Sequence, residues 1–270
     1  MNDEQSAGDD ESGTDGEDAS LVDRLDEFPL FGGLISGVAS FLGGYALLLG
    51  LLTATGKAEF SDGAREVLKS VGYIFYNTIR VPSYQRQNLT TLYENSSTGE
   101  VVARQVRTTE IWQNDVTGMR RIEQDVLLNG EVVNSTSRSA SFDPGLSVPA
   151  LLYLAIPVVA LLAVGYVYGD QLFELTEWDP NTLTVQGLVG GFAMTLGYLL
   201  VALAGTYILV RTAGDGQSVL RPARFEAILY GIAYPMLVGT IGVVLGQLSR
   251  ETVAKLRGNL GDDGDRDDGG

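Results

Sequence analysis

Carboxylates in one hydrophilic stretch are the side chains of this sequence that could do acid–base or metal chemistry. Four of them lie near basic residues in runs of alternating polarity, and these are Glu110, Asp115, Glu123 and Asp125. The chain contains no cysteine and no histidine, which excludes thiolate zinc sites, disulfides, imidazole bases and histidine-ligated haem. Alternating charges on predicted strands are typical of a solvated sheet face, so we expect no catalytic residue, no cofactor and no metal site.

The charge and the apolar residues of the chain occupy different segments. The 270 residues carry a formal net charge of -16, yet 45% of them are hydrophobic and the mean hydropathy is +0.11. Residues 1–28 hold eleven carboxylates against the single base Arg24, and residues 249–270 are also acidic. Because these two tails have almost nothing to bury, we predict that both are disordered.

Lysine is rare in this acidic chain. Lys57, Lys69 and Lys255 are the three lysines among eighteen basic residues. An acid-rich, lysine-poor and cysteine-free composition resembles that of proteins from halophilic archaea, whose surface carboxylates keep them soluble in concentrated salt. The negative charge is then a property of the environment, and we expect no nucleic-acid partner.

Four strongly apolar runs, with no charge near their centres, predict helices that cross a membrane. Each is close to the roughly 20 residues that span about 30 Å of hydrocarbon. The acidic residues before the first run, and its length, argue against a cleavable signal peptide. Pro157 and Pro235, inside the second and fourth runs, predict kinks. The predicted spans are residues 29–55, 146–168, 186–210 and 225–248.

The hydrophilic residues 56–145, between the first two spans, have the pattern of a small α+β domain. Ser61 is a candidate N-cap for an amphipathic helix that Pro82 would end. The aromatic residues of this helix would either dock on lipid headgroups or form its own core. Four β-prone runs follow, and Asn129-Gly130 between the last two is a strong type I′ hairpin signal. The strands are predicted around residues 89–93, 101–112, 120–128 and 131–135.

Together these segments predict a membrane α-helical protein. Its fold would be a four-helix transmembrane bundle with a small α+β hydrophilic domain between helices 1 and 2. Residues 169–185 and 211–224 are expected to be short links. Because so small a core is hard to stabilise by itself, the sequence leaves open whether the hydrophilic domain folds without the helices.

Small residues recur on one face of the first and fourth predicted spans. Their spacing lets two helix backbones approach closely, where lipid provides no hydrophobic drive for association. One interpretation is a homodimer face. The other is packing within the bundle, which we favour because a four-helix bundle must bury such faces anyway. The predicted packing residues are Gly33, Gly37, Ser40, Gly44, Gly239, Gly242 and Gly246.

Two sequence signals disagree on the orientation of the spans. Asn88, Asn95 and Asn134 begin N-glycosylation sequons, which favours an extracellular 56–145 segment and cytoplasmic termini. The arginines of residues 211–224 favour the opposite arrangement by the positive-inside rule. We predict cytoplasmic termini.

The segment Ser70-Val-Gly-Tyr-Ile-Phe-Tyr-Asn77, which follows Gly43-Gly44-Tyr45 in the first span, resembles a group of uncharacterised haloarchaeal membrane proteins. Members of this group share a first span, this short motif, a variable hydrophilic loop and three further spans. Tyr73 stands where the group carries tryptophan. The resemblance implies a multi-pass membrane protein with this layout, and it implies no chemistry.

We therefore expect a non-enzymatic membrane protein that displays residues 56–145 for interaction with another component. The expected partners are the lipid bilayer and a membrane or surface protein, and a homo-oligomer is left open. The alternative is a small transporter or transporter subunit, although ion routes usually place a charge inside a span. An enzyme is the third interpretation, because carboxylate pairs and serine–lysine chemistry need neither cysteine nor histidine.

The predicted orientation has a direct test in a chain without cysteine. A Thr98→Cys variant is expected to react with a membrane-impermeant maleimide on intact cells, because the cysteine would lie outside the membrane. A Gly258→Cys variant in the C-terminal tail is the control and should react only after lysis. The reverse labelling pattern would reverse the orientation.

Overall fold

The computed structural model of the chain describes five stretches of sequence. These are residues 30–57, 63–146, 148–175, 183–213 and 218–249. The two predicted tails, apart from Ser249, and the candidate cap Ser61 lie outside them. The described residues form one antiparallel sheet and a set of helices.

Four of the described helices are long and apolar enough to cross a membrane, which confirms this part of the predicted fold. The remaining helix, α2, is shorter and amphipathic. The helices are α1 (Leu30–Ala54), α2 (Ala64–Thr78), α3 (Ala150–Leu175), α4 (Leu183–Ile208) and α5 (Arg224–Ser249).

The fourth long helix, α5, contains a π-helical turn at Pro235–Gly239. Proline has no N–H to donate to the carbonyl four residues earlier, so the regular hydrogen-bond ladder is interrupted there. A π turn accommodates the interruption by widening the helix locally, and α-helix resumes as far as Ser249. Pro157 lies inside α3, which is α-helical on both sides of it.

The hydrophilic segment forms an antiparallel meander of four strands. Its last turn has positive φ angles of 53° at Asn129 and 93° at Gly130, as a type I′ hairpin requires. This confirms the predicted hairpin. The strands are β1 (Ser83–Glu94), β2 (Val101–Asn114), β3 (Met119–Leu128) and β4 (Glu131–Ser141).

The connection between α4 and α5 is not the plain link that the sequence predicted. It contains β5 (Arg211–Ala213) and β6 (Ser218–Pro222), and β6 pairs antiparallel with β1 as far as Gln87↔Ser218. The sheet order is β4-β3-β2-β1-β6-β5. Two such short strands have too few residues for a periodic pattern to show, and nothing local in the sequence marks their pairing with β1.

Helix α2 lies between the long helices and the sheet. The ring of Phe75 makes an edge contact with Phe41 of α1 at a centroid distance of 4.9 Å. The hydroxyl of Tyr45, also in α1, donates to the carbonyl of Leu68 at 2.7 Å. Because these α1 residues precede its end by two turns or more, α2 packs along the side of α1 and not beyond it. The hydrophilic segment is therefore packed against the long helices through α2.

The pairing of β1 with β6 predicts a disulfide that can be engineered. Cross-strand partners have Cα atoms about 4.5–5.5 Å apart, which suits a disulfide. The double variant Gln87→Cys/Ser218→Cys should therefore oxidise to one intramolecular bond, measured by intact mass and thiol titration. Thr91→Cys/Ser218→Cys is the control, since four residues along β1 add about 13 Å. Equal oxidation of both pairs would contradict this register.

Candidate functional site

The junction where α2 meets α4 and the sheet is a buried region with a polar interior. The first half of α2 buries one side, at Val67, and from Val71 to Thr78 the helix is buried on nearly all sides, since Ile74 alone is half-buried there. Of the two roles predicted for its aromatic residues, the structure shows core packing, since Phe75 and Tyr76 are almost completely buried. The buried residues are Val67, Val71, Gly72, Tyr73, Phe75, Tyr76, Asn77 and Thr78.

Tyr73 joins α2 to two other elements. Its hydroxyl donates to the carbonyl of Leu209, just after α4, and lies 3.1 Å from the carbonyl oxygen of Leu220 in β6. Burial raises the pKa of Tyr73 to about 12, while the cation of Arg211 lowers this pKa and the carboxylate of Glu66 raises it. The hydroxyl therefore remains protonated, which it must be to donate a hydrogen bond.

Tyr76 and Asn77 continue the junction on both sides of α2. The hydroxyl of Tyr76 donates to the carbonyl of Ala202 in α4, and burial raises the pKa of this tyrosine. The contact needs a glycine at position 205, where a Cβ would overlap the Tyr76 hydroxyl. The carbonyl of Asn77 accepts from the side-chain amide of Asn114 at 3.1 Å, which fixes the end of β2 to the end of α2.

A charged cluster covers the outer side of the junction. The guanidinium of Arg211 lies 2.8 Å from the carboxylate of Glu66 and 3.2 Å from the hydroxyl of Ser70. Lys69 is a second, longer ion-pair partner of Glu66, at 3.8 Å. Arg211 and Glu66 are both about one-third exposed or more, so the pair adds little stability by itself. Its effect is to hold β5 against the first turns of α2.

A polar cleft of about 310 Å³ lies between α2 and one face of the sheet. Its single carboxylate, Asp115, accepts a hydrogen bond from Gln113. The hydroxyl of Ser70 is held by Arg211, a cation that cannot serve as a base. Asp115 and Ser70 are therefore both engaged by neighbouring side chains of the cleft. The described lining consists of Ser70, Tyr73, Ile74, Ser83, Gln85, Ile111, Gln113, Asp115, Arg211 and Leu220.

The four carboxylates singled out in the sequence do not form one site. Glu110 and Glu123 are cross-strand neighbours, and each has an arginine close by, Arg86 at 3.8 Å from Glu110 and Arg121 in contact with Glu123. Asp125 is exposed further along β3. No group of three or more acidic side chains among the described residues is arranged to hold a metal ion.

An apolar groove of about 530 Å³ opens between α1, α2 and α4. Its walls are aliphatic and aromatic, and Arg65 and Lys69 of α2 stand at its edge. The sequence alone did not reveal this groove because its walls come from three separate segments. An apolar helix face and two cations one turn apart are each ordinary signals by themselves.

The predicted packing residues of α1, which are Gly33, Gly37, Ser40 and Gly44, all face other elements of this chain. A Cβ at Gly33 would overlap α4, and one at Gly37 would overlap the α4 backbone at Met194. Gly44 faces the ring of Phe75, 3.1 Å from an added Cβ. Ser40 is buried, and its hydroxyl donates to the carbonyl of Ser36 at 2.8 Å.

The glycines of α5 pack against α3 and α4. An added Cβ at Gly246 would overlap the carbonyl of Tyr166, and one at Gly242 would lie 2.8 Å from the carbonyl of Leu162. Gly239 is less crowded, with its nearest contact at 3.6 Å. The six predicted packing glycines thus face helices of the same chain, whereas Gly43 and Gly50 of α1 have nothing within 4 Å of an added Cβ.

The three sequon asparagines are all exposed. Asn88 and Asn134 lie in β1 and β4, and Asn95 lies in the turn between β1 and β2. In that turn the side-chain oxygen of Asn95 accepts a hydrogen bond from the backbone N–H of Ser97 at 3.1 Å. All three side chains can therefore be reached from solvent.

Comparison with known proteins adds one finding. Residues 125–250 match a family of unknown function (DUF7978). The match begins in β3, takes in β4 and every later described element, and covers slightly less than half of the chain. No curated protein and no solved structure matches. The comparisons therefore supply no activity, ligand or partner.

The close approach of α1 to α4 predicts opposite effects for two glycine substitutions in the same helix. Gly37→Ala should lower the Tm of the purified protein in detergent, because the new Cβ overlaps the backbone of α4. Gly43→Ala is the control, since a Cβ there meets nothing within 4 Å. Alanine also favours helix over glycine by about 0.5–1 kcal/mol, so this Tm should stay or rise. An unchanged Tm for Gly37→Ala would contradict the packing.

Proposed function

We propose that this chain is a non-enzymatic membrane protein of a halophilic archaeon that presents its sheet for interaction with another protein. In this proposal the four long helices form a transmembrane bundle, and α2 fixes the sheet to it. The observation that supports the proposal is an exposed apolar patch on the part of the sheet farthest from α2. The acidic, lysine-poor composition supports the halophilic source.

The exposed patch consists of Leu92, Val102 and Val132, which we call the distal patch. Strand register places Leu92 and Val132 on one face of the sheet. Val102 lies at a register shift in β2, two residues from Arg104, the partner of Leu92. Each of the three side chains is more than half exposed. At about 3.4 Å per residue, Leu92 lies roughly 30 Å along β1 from Ser83. Apolar side chains grouped on a surface typically mark a contact site for another protein.

The edge of the sheet supports the same proposal. All eleven residues of β4 are exposed, and this strand ends the sheet on one side. An unprotected edge strand presents free backbone N–H and C=O groups, to which a strand of a partner can add. The distal patch and this edge meet at Val132, which belongs to both.

The proposed orientation places this sheet outside the cell and the termini in the cytoplasm. The exposure of all three sequon asparagines supports it. Because β6 pairs with β1, the proposal assigns the 211–224 connection and the sheet to the same side of the membrane. The arginines of this connection favour the opposite orientation, so the cysteine-labelling experiment with Thr98→Cys and Gly258→Cys decides between the two.

The proposal predicts a specific crosslink from the distal patch. A photo-crosslinking amino acid at Val132, in the full-length protein in native membranes, should yield an adduct with another polypeptide. The same group at Ser137, exposed on the same strand, is the control and should yield much less. Mass spectrometry of the adduct then identifies a different protein or a second copy of this chain.

The proposal also requires that the Val132 adduct depends on the other residues of the distal patch. Changing Leu92→Ser and Val102→Ser should reduce the Val132 adduct several-fold, because the substitutions remove the other two apolar side chains of the distal patch while leaving the strand backbone intact. An adduct of equal yield from Val132 and Ser137, or one insensitive to the double substitution, would refute the proposed contact surface.

A small transporter is the second candidate, favoured by one feature of α5. Its π turn at Pro235–Gly239 faces α4, where the hydroxyl of Thr195 lies 3.9 Å from the sulfur of Met236. The amide of Gln247 is buried with no hydrogen-bond partner among the described residues. Interrupted helices with buried polar groups occur at transport sites. Solute uptake by vesicles containing the purified protein, lost in Thr195→Val, would favour this candidate.

A further inference from the structure

The apolar groove between α1, α2 and α4 has the walls of a lipid site. Phe41 and Leu42 of α1 line one side, and Val201 and Ile208 of α4 line the other. Leu42 and Ile208 are more than half exposed, so the groove opens sideways and not into the interior. Its volume of about 530 Å³ lies in the usual range of ligand sites.

The α2 edge of this groove carries an excess of positive charge. Arg65 and Lys69 are one helical turn apart, and both line the groove. The side chain of Lys69 is only 16% exposed, so its stem is packed and its position is restricted. The nearby carboxylate of Glu66 lies closer to Arg211, at 2.8 Å, than to Lys69, at 3.8 Å. Glu66 is thus shared between Arg211 and Lys69, and no ion pair with a described carboxylate is seen for Arg65, in a chain whose net charge is -16.

We propose that this groove binds one membrane lipid with an anionic phosphate headgroup. Its hydrocarbon chain lies along the walls formed by α1 and α4, and its phosphate contacts Arg65 and Lys69. Guanidinium and ammonium groups form strong charge-assisted hydrogen bonds with phosphate oxygens. Basic pockets between membrane helices are known to hold such headgroups.

The bound lipid would have a structural effect at the junction. Gly72 and Tyr76 of α2 also line the groove, and Tyr76 donates to α4. A hydrocarbon chain in the groove adds apolar contacts to α1, α2 and α4 together. We therefore expect the lipid to raise the Tm of the protein as well as to bind it.

Native mass spectrometry of the full-length protein tests this site. The protein, delipidated in detergent, is mixed with phosphatidylglycerol or with phosphatidylcholine of the same chains. Phosphatidylglycerol should bind at one site at least about tenfold more tightly, because its headgroup has a net negative charge, whereas the quaternary ammonium of phosphatidylcholine offsets the charge of its phosphate and is repelled by Arg65 and Lys69. Equal binding of the two lipids would overturn the proposal.

Three variants locate the site. Arg65→Gln/Lys69→Gln should remove the preference for phosphatidylglycerol, while Arg107→Gln, an exposed arginine on β2, should keep it. Ala204→Trp fills the groove from an exposed position and should remove bound lipid without changing any charge. Retention of tight phosphatidylglycerol binding in both groove variants would overturn the proposed location.

The measurements of lipid binding and Tm test the lipid site independently of the proposed function of the sheet. A Tm measured without lipid shows whether each variant is folded, and all of these changes are at exposed or half-buried positions. Added phosphatidylglycerol should raise the Tm of the wild type and of Arg107→Gln, but not that of the groove variants. The Val132 crosslink depends on the distal patch, so its loss or survival does not depend on the lipid result.

Discussion

The fold depends on two tyrosine hydroxyls of α2 that donate to backbone carbonyls of other elements. The last carbonyls of a helix have no partner within that helix, and an unpaired carbonyl away from water is costly. Tyr73 supplies such a donor at the end of α4 and approaches β6 as well. The acceptor of Tyr76, the carbonyl of Ala202, lies inside α4 about two turns earlier, so this hydrogen bond adds a second attachment to the same helix. Both donors come from one helix face, so α4, β6 and α2 must be placed together.

The placement of α2 against α4 and β6 also explains the residues of the short motif from Ser70 to Asn77. Three residues of the motif contact three different neighbours. Gly72 admits the side chain of Leu209, Phe75 packs on α1, and Asn77 accepts a hydrogen bond from Asn114. The distal part of the sheet has no comparable restriction, because its side chains are exposed on both faces. The two parts of the hydrophilic segment therefore have different roles. One connects the sheet to the helices, and the other is exposed.

Hydropathy predicted the long helices because burying a backbone in hydrocarbon requires a continuous apolar run, and the ends of such a run are visible in sequence. It placed the end of the second span at residue 168, whereas α3 continues to Leu175, since a helix can extend into polar residues. The Asn129-Gly130 hairpin was predictable because its backbone needs two positive φ angles. The pairing of β6 with β1, the tyrosine contacts and the groove were not predictable, because each depends on which distant segments become neighbours.

The strand order also has a consequence for synthesis. β1 is complete early in translation, yet its neighbour β6 emerges only after α3 and α4 have been made. Until then, one side of β1 has unpaired N–H and C=O groups, and Tyr73 lacks both of its acceptors. Contacts that close such long loops form slowly, and exposed strand edges favour aggregation in the meantime. The sheet can therefore be completed only after the third long helix, α4, has been made.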